Sequence, residues 1–151
     1  MSNTIERKSP RNKTQMIPQA IDGKDGMVAV DTTWGKIQPV QAASGVQTVG
    51  EPRVIQHLEK GLPVVDVRAP ETKGGITIPG ARSIPHGDMI QRMNELDRET
   101  ASIFFCNGPQ CPQSPSTIRD LLEAGFPAEK MLYYRGGMHN WITLGLPVEK
   151  I

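Results

Sequence analysis

The sequence predicts an α/β fold in three layers (α/β/α), in which helices cover both faces of a central parallel sheet. Short apolar runs of strand length alternate along the chain with segments whose apolar residues recur at helical spacing. Residues 63–67 form one apolar run interrupted by a single acid, Asp66, as is typical of strands buried on both faces. Ligands of parallel sheets bind where strands end, so the residues that follow each strand are the first candidates for a site.

The elements follow in order from residue 46. Residues 46–49 predict a weak strand, and residues 51–60 predict a helix that ends at Gly61. Further strands are predicted at 63–67, 81–84, 103–105 and 131–134, and further helices at 88–96, 116–124 and 138–144. Gly145 and Pro147 end the last helix.

The chain has 151 residues, which suits one domain. We expect this domain to occupy residues 46–151, after a flexible or irregular N-terminal extension over residues 1–45 that shows no periodicity. Three apolar residues of the extension, Trp34, Ile37 and Val40, are expected to dock on the domain.

Charge and hydropathy exclude several classes of protein. The formal net charge is +1, and no apolar run approaches the length of a membrane span, so we expect neither a nucleic acid nor a membrane as partner. The polar amino terminus does not resemble a signal peptide, and we expect a cytoplasmic protein. In that reducing compartment, two cysteines five positions apart suggest chemistry more than a structural disulfide.

Both cysteines lie in one loop between a predicted strand and a predicted helix. Cys106 ends the strand, where loop amides and the positive end of the next helix stabilise a thiolate, a persulfide or a bound oxyanion. Ser114 or Ser116 is expected to cap the helix, with Pro115 at a first helical position. The loop amides come from Asn107, Gly108, Gln110, Cys111, Gln113 and Ser114.

Two other interpretations of the cysteines remain open. Cys106 could be an inert thiol that completes an apolar strand, with Cys111 an incidental surface residue. The two thiols could also bind a metal together with His86 and His139, but these residues are scattered, whereas structural zinc uses closely spaced ligand pairs. We therefore expect no metal.

Three ordered stretches of the chain surround this loop. They are Val64-Val65-Asp66-Val67-Arg68 with Glu71; Ile78-Pro79-Gly80-Ala81 with Ile84-Pro85; and Tyr134-Arg135-Gly136-Gly137 with Trp141 and Gly145-Leu146-Pro147. Together they resemble the rhodanese-like sulfurtransferases, and the resemblance extends from about residue 46 to residue 148. The nucleophile of that family falls between the second and third stretches, as Cys106 does here.

The resemblance implies a rhodanese fold and a sulfurtransferase without a cofactor. Cys106 would take a sulfane sulfur from thiosulfate or another persulfide donor, hold it as a persulfide and pass it to a thiol or to cyanide, with a protein as a further candidate acceptor. The loop residues and Arg135 would bind the substrate. Asp66 and Arg68 would support the site, with Arg68 paired to Glu71 or to Asp66.

The sequence departs from the family's pattern at two places. Thr77 stands where the family often has His, and no Lys or Arg occurs between Cys106 and Arg119 to attract thiosulfate. Arg135 is expected to compensate for this missing cation.

Cys111 leaves the detailed chemistry open. If it reaches Cys106, it could resolve the persulfide into a disulfide with release of sulfide, or accept the sulfur itself; otherwise it is an accessory loop residue. An alternative function is a redox-sensing or partner-binding module that uses the Cys106/Cys111 pair. Phosphatase chemistry is disfavoured because the Arg it needs at the sixth position after the nucleophile is replaced by Pro112 or, counted from Cys111, by Thr117.

Overall fold

The structure is a computed structural model that describes residues 36–151 and two short strands nearer the amino terminus. These strands, β1 (Gln19–Ala20) and β2 (Val28–Ala29), pair antiparallel. Trp34 and most of the predicted extension lie outside the described residues. The other elements are β3 (Gln47–Thr48), α1 (Glu51–Glu59), β4 (Val64–Asp66), β5 (Ile76–Thr77), β6 (Arg82–Ser83), α2 (Met89–Arg92), β7 (Ser102–Phe105), α3 (Gln113–Glu123), β8 (Met131–Tyr134), α4 (Gly137–Thr143) and β9 (Glu149–Lys150).

A five-stranded parallel sheet forms the centre of the domain and confirms the predicted fold class. Its strand order is β3-β8-β7-β4-β6. The strand that leads to Cys106, β7, lies in the middle of the sheet, between β4 and β8, and pairs Phe105 with Asp66 on one side and with Tyr134 on the other. Parallel strands end at the same edge, so residues after β4, β7 and β8 meet there.

Two apolar cores, one on each face of the sheet, separate the three layers. Side chains of a strand alternate between faces, so Ile103 and Phe105 of β7 join the core under α1 and α4, whereas Phe104 and Cys106 join the core under α2 and α3. The helices contribute Val54, Met138 and Trp141 to the first core and Met89, Ile118 and Leu121 to the second. Within the described part of the chain, no helix has the length and apolarity needed to cross a bilayer.

The start of α3 differs from the prediction. The helix begins at Gln113 rather than at residue 116, Pro115 lies in its third position, and neither Ser114 nor Ser116 caps it. The physical reason is that cysteine sulfurs, not a serine oxygen, accept from the first-turn amides: the Ser114 amide donates to Cys106 Sγ at 3.3 Å.

Two further elements differ from the prediction. The helix predicted at 88–96 is short and continues as the 3-10 turn Met93–Glu95. The sequence also gave no sign of the antiparallel pair β5 and β9, whose strands are only two residues long. Such short strands carry no period that a pattern could reveal.

The segment before β3 attaches to the domain through its backbone. The prediction that apolar side chains dock it is wrong for Ile37, which is 56% exposed, and for Val40, which is 68% exposed. The Gln38 amide instead donates to the carbonyl oxygen of Pro109 at 2.7 Å. An irregular segment with few apolar residues satisfies its polar backbone groups more easily than it builds a core.

Candidate active site at the cysteine loop

Cys106 follows β7 directly, and its side chain is buried, with 1% exposed. Three groups surround its sulfur: the Ser114 hydroxyl at 3.0 Å, the Ser114 amide at 3.3 Å and the Cys111 carbonyl oxygen at 3.4 Å. A thiol can donate to the carbonyl oxygen, whereas a thiolate accepts from the hydroxyl and the amide. The site therefore offers partners to both protonation states of the sulfur.

The pKa values of the two cysteine thiols are shifted in opposite directions. Burial raises the pKa of Cys106, but hydrogen bonds from the Cys111 thiol, from Ser114 and from the Gly108 amide outweigh burial and place this pKa below its ordinary value. The hydrogen bond to Cys106, together with burial, raises the pKa of Cys111. Of the two thiols, Cys106 is therefore the one that ionises more easily.

The loop amides that the sequence predicted around one sulfur are divided between two. The amides of Gly108 and Ser114 face Cys106, whereas those of Asn107 and Gln113 face Cys111. The Cys111 amide itself donates to the Gly108 carbonyl oxygen at 3.0 Å. Gln110 is buried within the same loop, with 5% exposed. The arrangement stabilises negative charge on either sulfur.

A buried ion pair supports the site from the neighbouring strand. Arg68, which is fully buried, donates to Asp66 from Nη2 at 2.7 Å and from Nε at 2.9 Å. Of the two partners predicted for Arg68, the structure selects Asp66, and Glu71 is exposed. Thr77 donates to the same carboxylate at 2.8 Å, so the residue that departs from the family's pattern belongs to this network.

The side chains of Asn107 and Gln113 join the loop to the turn after β4. Asn107 Oδ1 accepts from Arg68, and its Nδ2 donates to the carbonyl oxygen of Thr72 at 2.7 Å. Gln113 Oε1 accepts from the Ala69 amide at 2.7 Å. These two side chains hold the loop in place. The backbone amides of the same two residues face the Cys111 sulfur.

Arg135, the cation expected to compensate for the loop's lack of charge, contacts the segment before β3. Its Nη2 and Nε donate to the Gln38 carbonyl oxygen at 2.6 Å and 3.1 Å. Because the Gln38 amide bonds to Pro109 in the cysteine loop, Arg135 and the loop hold the same residue. Two of the donors of Arg135 are thus already engaged by the protein.

The start of α4 packs directly on the backbone that carries Cys106. The Met138 amide donates to the Cys106 carbonyl oxygen at 3.0 Å. Gly137 has a φ of +57°, and a Cβ at this position would lie 2.3 Å from that carbonyl oxygen. Only glycine permits this approach, which explains physically why the Gly136-Gly137 pair stands here.

Sequence reasoning missed one polar group near the cysteines, the hydroxyl of Tyr133. This hydroxyl is buried without a hydrogen-bond partner among the described residues. Burial raises the pKa of Tyr133, and the charge of Cys106 raises it further. Strand alternation, which puts Tyr133 on the same face of the sheet as Phe104, is the signal that could have pointed to it.

The structure also bears on the alternatives for the two cysteines. Cys111 is 1% exposed, so the interpretation of it as an incidental surface residue is wrong. Among the residues that the structure describes, no group of three or more His, Cys, Asp or Glu side chains is arranged to hold a metal ion.

The fold and the site define an α/β protein with a buried, hydrogen-bonded cysteine at the carboxyl end of a central strand. Residues 52–144 match the rhodanese-like domain family. The chain belongs to this family, which confirms the resemblance of its motifs.

Solved structures share this fold. A thiosulfate sulfurtransferase from Pseudomonas aeruginosa aligns with a TM-score of 0.61 and 26% identity over 74% of this chain and 21% of its own. A protein from Lactobacillus plantarum shares the fold with a TM-score of 0.59 and 24% identity over 69% of this chain and 88% of its own.

One curated relative is an HTH-type transcriptional regulator from Mycobacterium tuberculosis. It is 31% identical to this chain over 98 residues, which are 64% of this chain and 42% of the regulator. The chain thus spans less than half the length of this relative.

Proposed function

We propose that the protein is a sulfurtransferase that carries a sulfane sulfur as a persulfide on Cys106. The observation that carries the proposal is the set of donors aimed at Cys106 Sγ, which comprises the Ser114 hydroxyl, the Ser114 and Gly108 amides and the Cys111 thiol. A sulfur that attacks a donor must be a thiolate, and these donors favour that state. The same donors stabilise the negative charge of a persulfide.

The loading step needs no group beyond the thiolate and the donor. With thiosulfate, Cys106 attacks the outer sulfur, the S–S bond of the donor breaks, and sulfite leaves with the bonding electron pair. With a persulfide donor, the leaving group is the donor's thiolate. The hydrogen bonds at Cys106 lower its pKa and thereby favour the thiolate that attacks the donor.

The transfer step returns the enzyme to its starting state. An acceptor nucleophile, cyanide or a thiolate, attacks the outer sulfur of the persulfide, and the Cys106 thiolate leaves. The product is thiocyanate or the persulfide of the acceptor. A protein thiol is a further acceptor of the same chemistry, and the activity named for the Pseudomonas aeruginosa relative supports this reaction class.

The charge around the loop favours a persulfide donor over thiosulfate. No Lys or Arg lies between Cys106 and Arg119, and Arg135 is bonded to Gln38. Thiosulfate carries two negative charges that this loop can meet only with neutral donors, whereas a persulfide carries one. We therefore propose a persulfide as the preferred donor, with a thiol as acceptor.

Steady-state transfer of sulfur to cyanide tests the proposal. Cys106→Ser should lower the rate by about a thousandfold or more, because it removes the only group that forms the covalent intermediate. Ser116→Ala is the matched control, since the Ser116 side chain makes no hydrogen bond to the described residues, and it should keep the wild-type rate. Full activity in Cys106→Ser would contradict the assignment.

A second candidate function is a redox-sensing module, favoured by the contact between the two thiols and by the relative that is a transcriptional regulator. Peroxide would oxidise Cys106 to a sulfenic acid with release of hydroxide, and Cys111 would displace water to form a disulfide. If mild peroxide yields this disulfide quickly while neither thiosulfate nor a persulfide loads sulfur, the sensing function replaces the transferase.

A further inference from the structure

Cys111 is a buried thiol in contact with Cys106, and transfer of sulfur to an external acceptor does not need it. It is 1% exposed, it belongs to the same buried cluster as Cys106, and its carbonyl oxygen lies 3.4 Å from the Cys106 sulfur. The hydrogen bond from the Cys111 amide to the Gly108 carbonyl oxygen closes the turn that brings residue 111 back over Cys106. The contact is therefore part of the loop's fold.

Surrounding contacts fix the turn that creates this pairing. Gly108 has a φ of +155°, and a Cβ there would lie 2.8 Å from Cβ of His139 on α4. The side chains of Asn107 and Gln113, on either side of the turn, are hydrogen-bonded to residues 69–72. The loop consequently holds Cys111 beside Cys106 before any substrate arrives.

We propose that Cys111 resolves the Cys106 persulfide into a Cys106–Cys111 disulfide and releases hydrosulfide, which makes the protein a reductase of sulfane sulfur as well as a carrier. This inference rests on the proposed loading of Cys106. The Cys111 sulfur bonds to Sγ of Cys106, the S–S bond of the persulfide breaks, and the outer sulfur leaves as HS⁻ with the bonding pair and the proton of Cys111. The two cysteines lose two electrons, and the sulfane sulfur gains them.

The direction of the attack follows from this contact. Residue 111 lies against Sγ of Cys106, the inner sulfur of the persulfide, so attack there expels the outer sulfur. Before loading, the proton of Cys111 faces the negative charge on Sγ of Cys106. After loading, the negative charge lies on the outer sulfur of the persulfide, and the proton of Cys111 can move to that sulfur. The amides of Asn107 and Gln113 face the Cys111 sulfur and stabilise the charge that develops on it.

The cycle closes with an external thiol. Two equivalents of a low-molecular-weight thiol reduce the Cys106–Cys111 disulfide and leave as their own disulfide. The net reaction converts one sulfane sulfur and two thiols into one hydrosulfide and one disulfide. When an acceptor is abundant, transfer competes with resolution, and when it is scarce, resolution prevents a buried persulfide from accumulating.

A single-turnover experiment without acceptor tests the inference. Reduced wild-type protein and Cys111→Ser, freed of thiols and oxygen, are loaded with thiosulfate, and sulfide and intact mass are followed. The serine variant should keep a gain of about 32 Da, whereas the wild type should fall to roughly 2 Da below the reduced mass. It should release one equivalent of sulfide roughly a hundredfold faster than the variant.

The other outcomes separate the two proposals. If both proteins keep the added mass and release no sulfide, or if the added mass moves to Cys111, the resolving role is overturned and sulfur transfer stands. A disulfide without an equal amount of sulfide also overturns it, because that disulfide comes from an oxidant. If neither protein gains mass with thiosulfate, nor with a persulfide donor in a repeat of the experiment, both proposals fail. Thermal unfolding checks that the Cys111→Ser variant is folded, and Cys111→Ala serves as a second variant in the same experiment.

Discussion

Arg68 Nη1 donates a hydrogen bond of 3.1 Å to Oδ1 of Asn107, the residue that follows Cys106. Through this bond the buried Arg68–Asp66 ion pair, which belongs to the end of β4, holds the backbone of the cysteine loop at the end of β7. The guanidinium also donates to the carbonyl oxygens of Lys73 and Ile76. One side chain thus joins three segments at the edge of the sheet where the site lies.

Arg68→Lys should lower the free energy of unfolding by about 3 kcal/mol, because a lysine cannot reach the carboxylate and the other acceptors together and leaves buried groups unpaired. Urea unfolding measures the change. Arg82→Lys is the control for the same substitution, since the Arg82–Glu95 pair is largely exposed; it should cost less than about 1 kcal/mol. Equal losses of unfolding free energy in Arg68→Lys and Arg82→Lys would show that Arg68 does not join these segments.

Ser114→Ala should slow the loading of Cys106 at neutral pH by about tenfold, because it removes a hydrogen bond to a charged sulfur. The apparent pKa in the pH profile of loading should move upward, since the thiolate loses a donor. Ser116→Ala, one half-turn further along α3, should leave the profile in place. A slower rate without a shifted profile would mean that Ser114 acts on folding rather than on the thiolate.

Acid should destabilise the protein through His57, which is buried, with 3% exposed. Burial lowers its pKa; the bond to Pro63 opposes this, and the charges of Arg53 and Lys60 reinforce it. A buried His with a lowered pKa makes its full contribution to the stability of the fold above the pKa of the unfolded state, about 6.5. This contribution is lost as the pH falls through the lower pKa of the folded state.

The substitution His57→Gln should therefore flatten the loss of stability below about pH 6.5, and thermal unfolding across that range measures it. His86→Gln is the matched control, because His86 is exposed, and it should retain the wild-type slope. If the slope of stability against pH were unchanged in His57→Gln, His57 would not be the cause of the loss of stability in acid.

Arg135→Ala should loosen the segment around Gln38. Its two hydrogen bonds to the Gln38 carbonyl oxygen contribute roughly 1–2 kcal/mol, so hydrogen exchange of the Gln38 amide should accelerate by about tenfold. Arg119→Ala removes a comparable bond to Ala42 and should leave Gln38 protected. Protection of Gln38 that survives the loss of Arg135 would show that Pro109 alone holds the segment.

Much of the fold was predictable because the pattern of apolar residues in the sequence indicates where the strands lie. The apolar run around Val64 and the Met131–Tyr134 strand lie where periodicity places them, and the motifs identify the family. The start of α3 was not predictable, since serine caps are the usual rule and nothing in the sequence shows that a sulfur replaces the cap.

The candidate site was predictable in its position and only partly in its contacts. The place of Cys106 follows from a strand that ends on it, and the selection of Asp66 as the partner of Arg68 was one of two options. The division of the amides between two sulfurs and the occupation of Arg135 by Gln38 depend on long-range packing. No local pattern in the sequence encodes these contacts.

Peptide mapping of the sulfur-loaded protein tests the central claim most directly. Reduced protein is mixed with thiosulfate or with a persulfide donor, quenched within the first turnover, alkylated and digested. The account predicts a gain of about 32 Da on Cys106 in Cys111→Ser, the same gain or the Cys106–Cys111 disulfide that follows from it in the wild type, and no gain in Cys106→Ser. A protein that takes up no sulfur from either donor, or that carries it on Cys111 alone, would contradict the account.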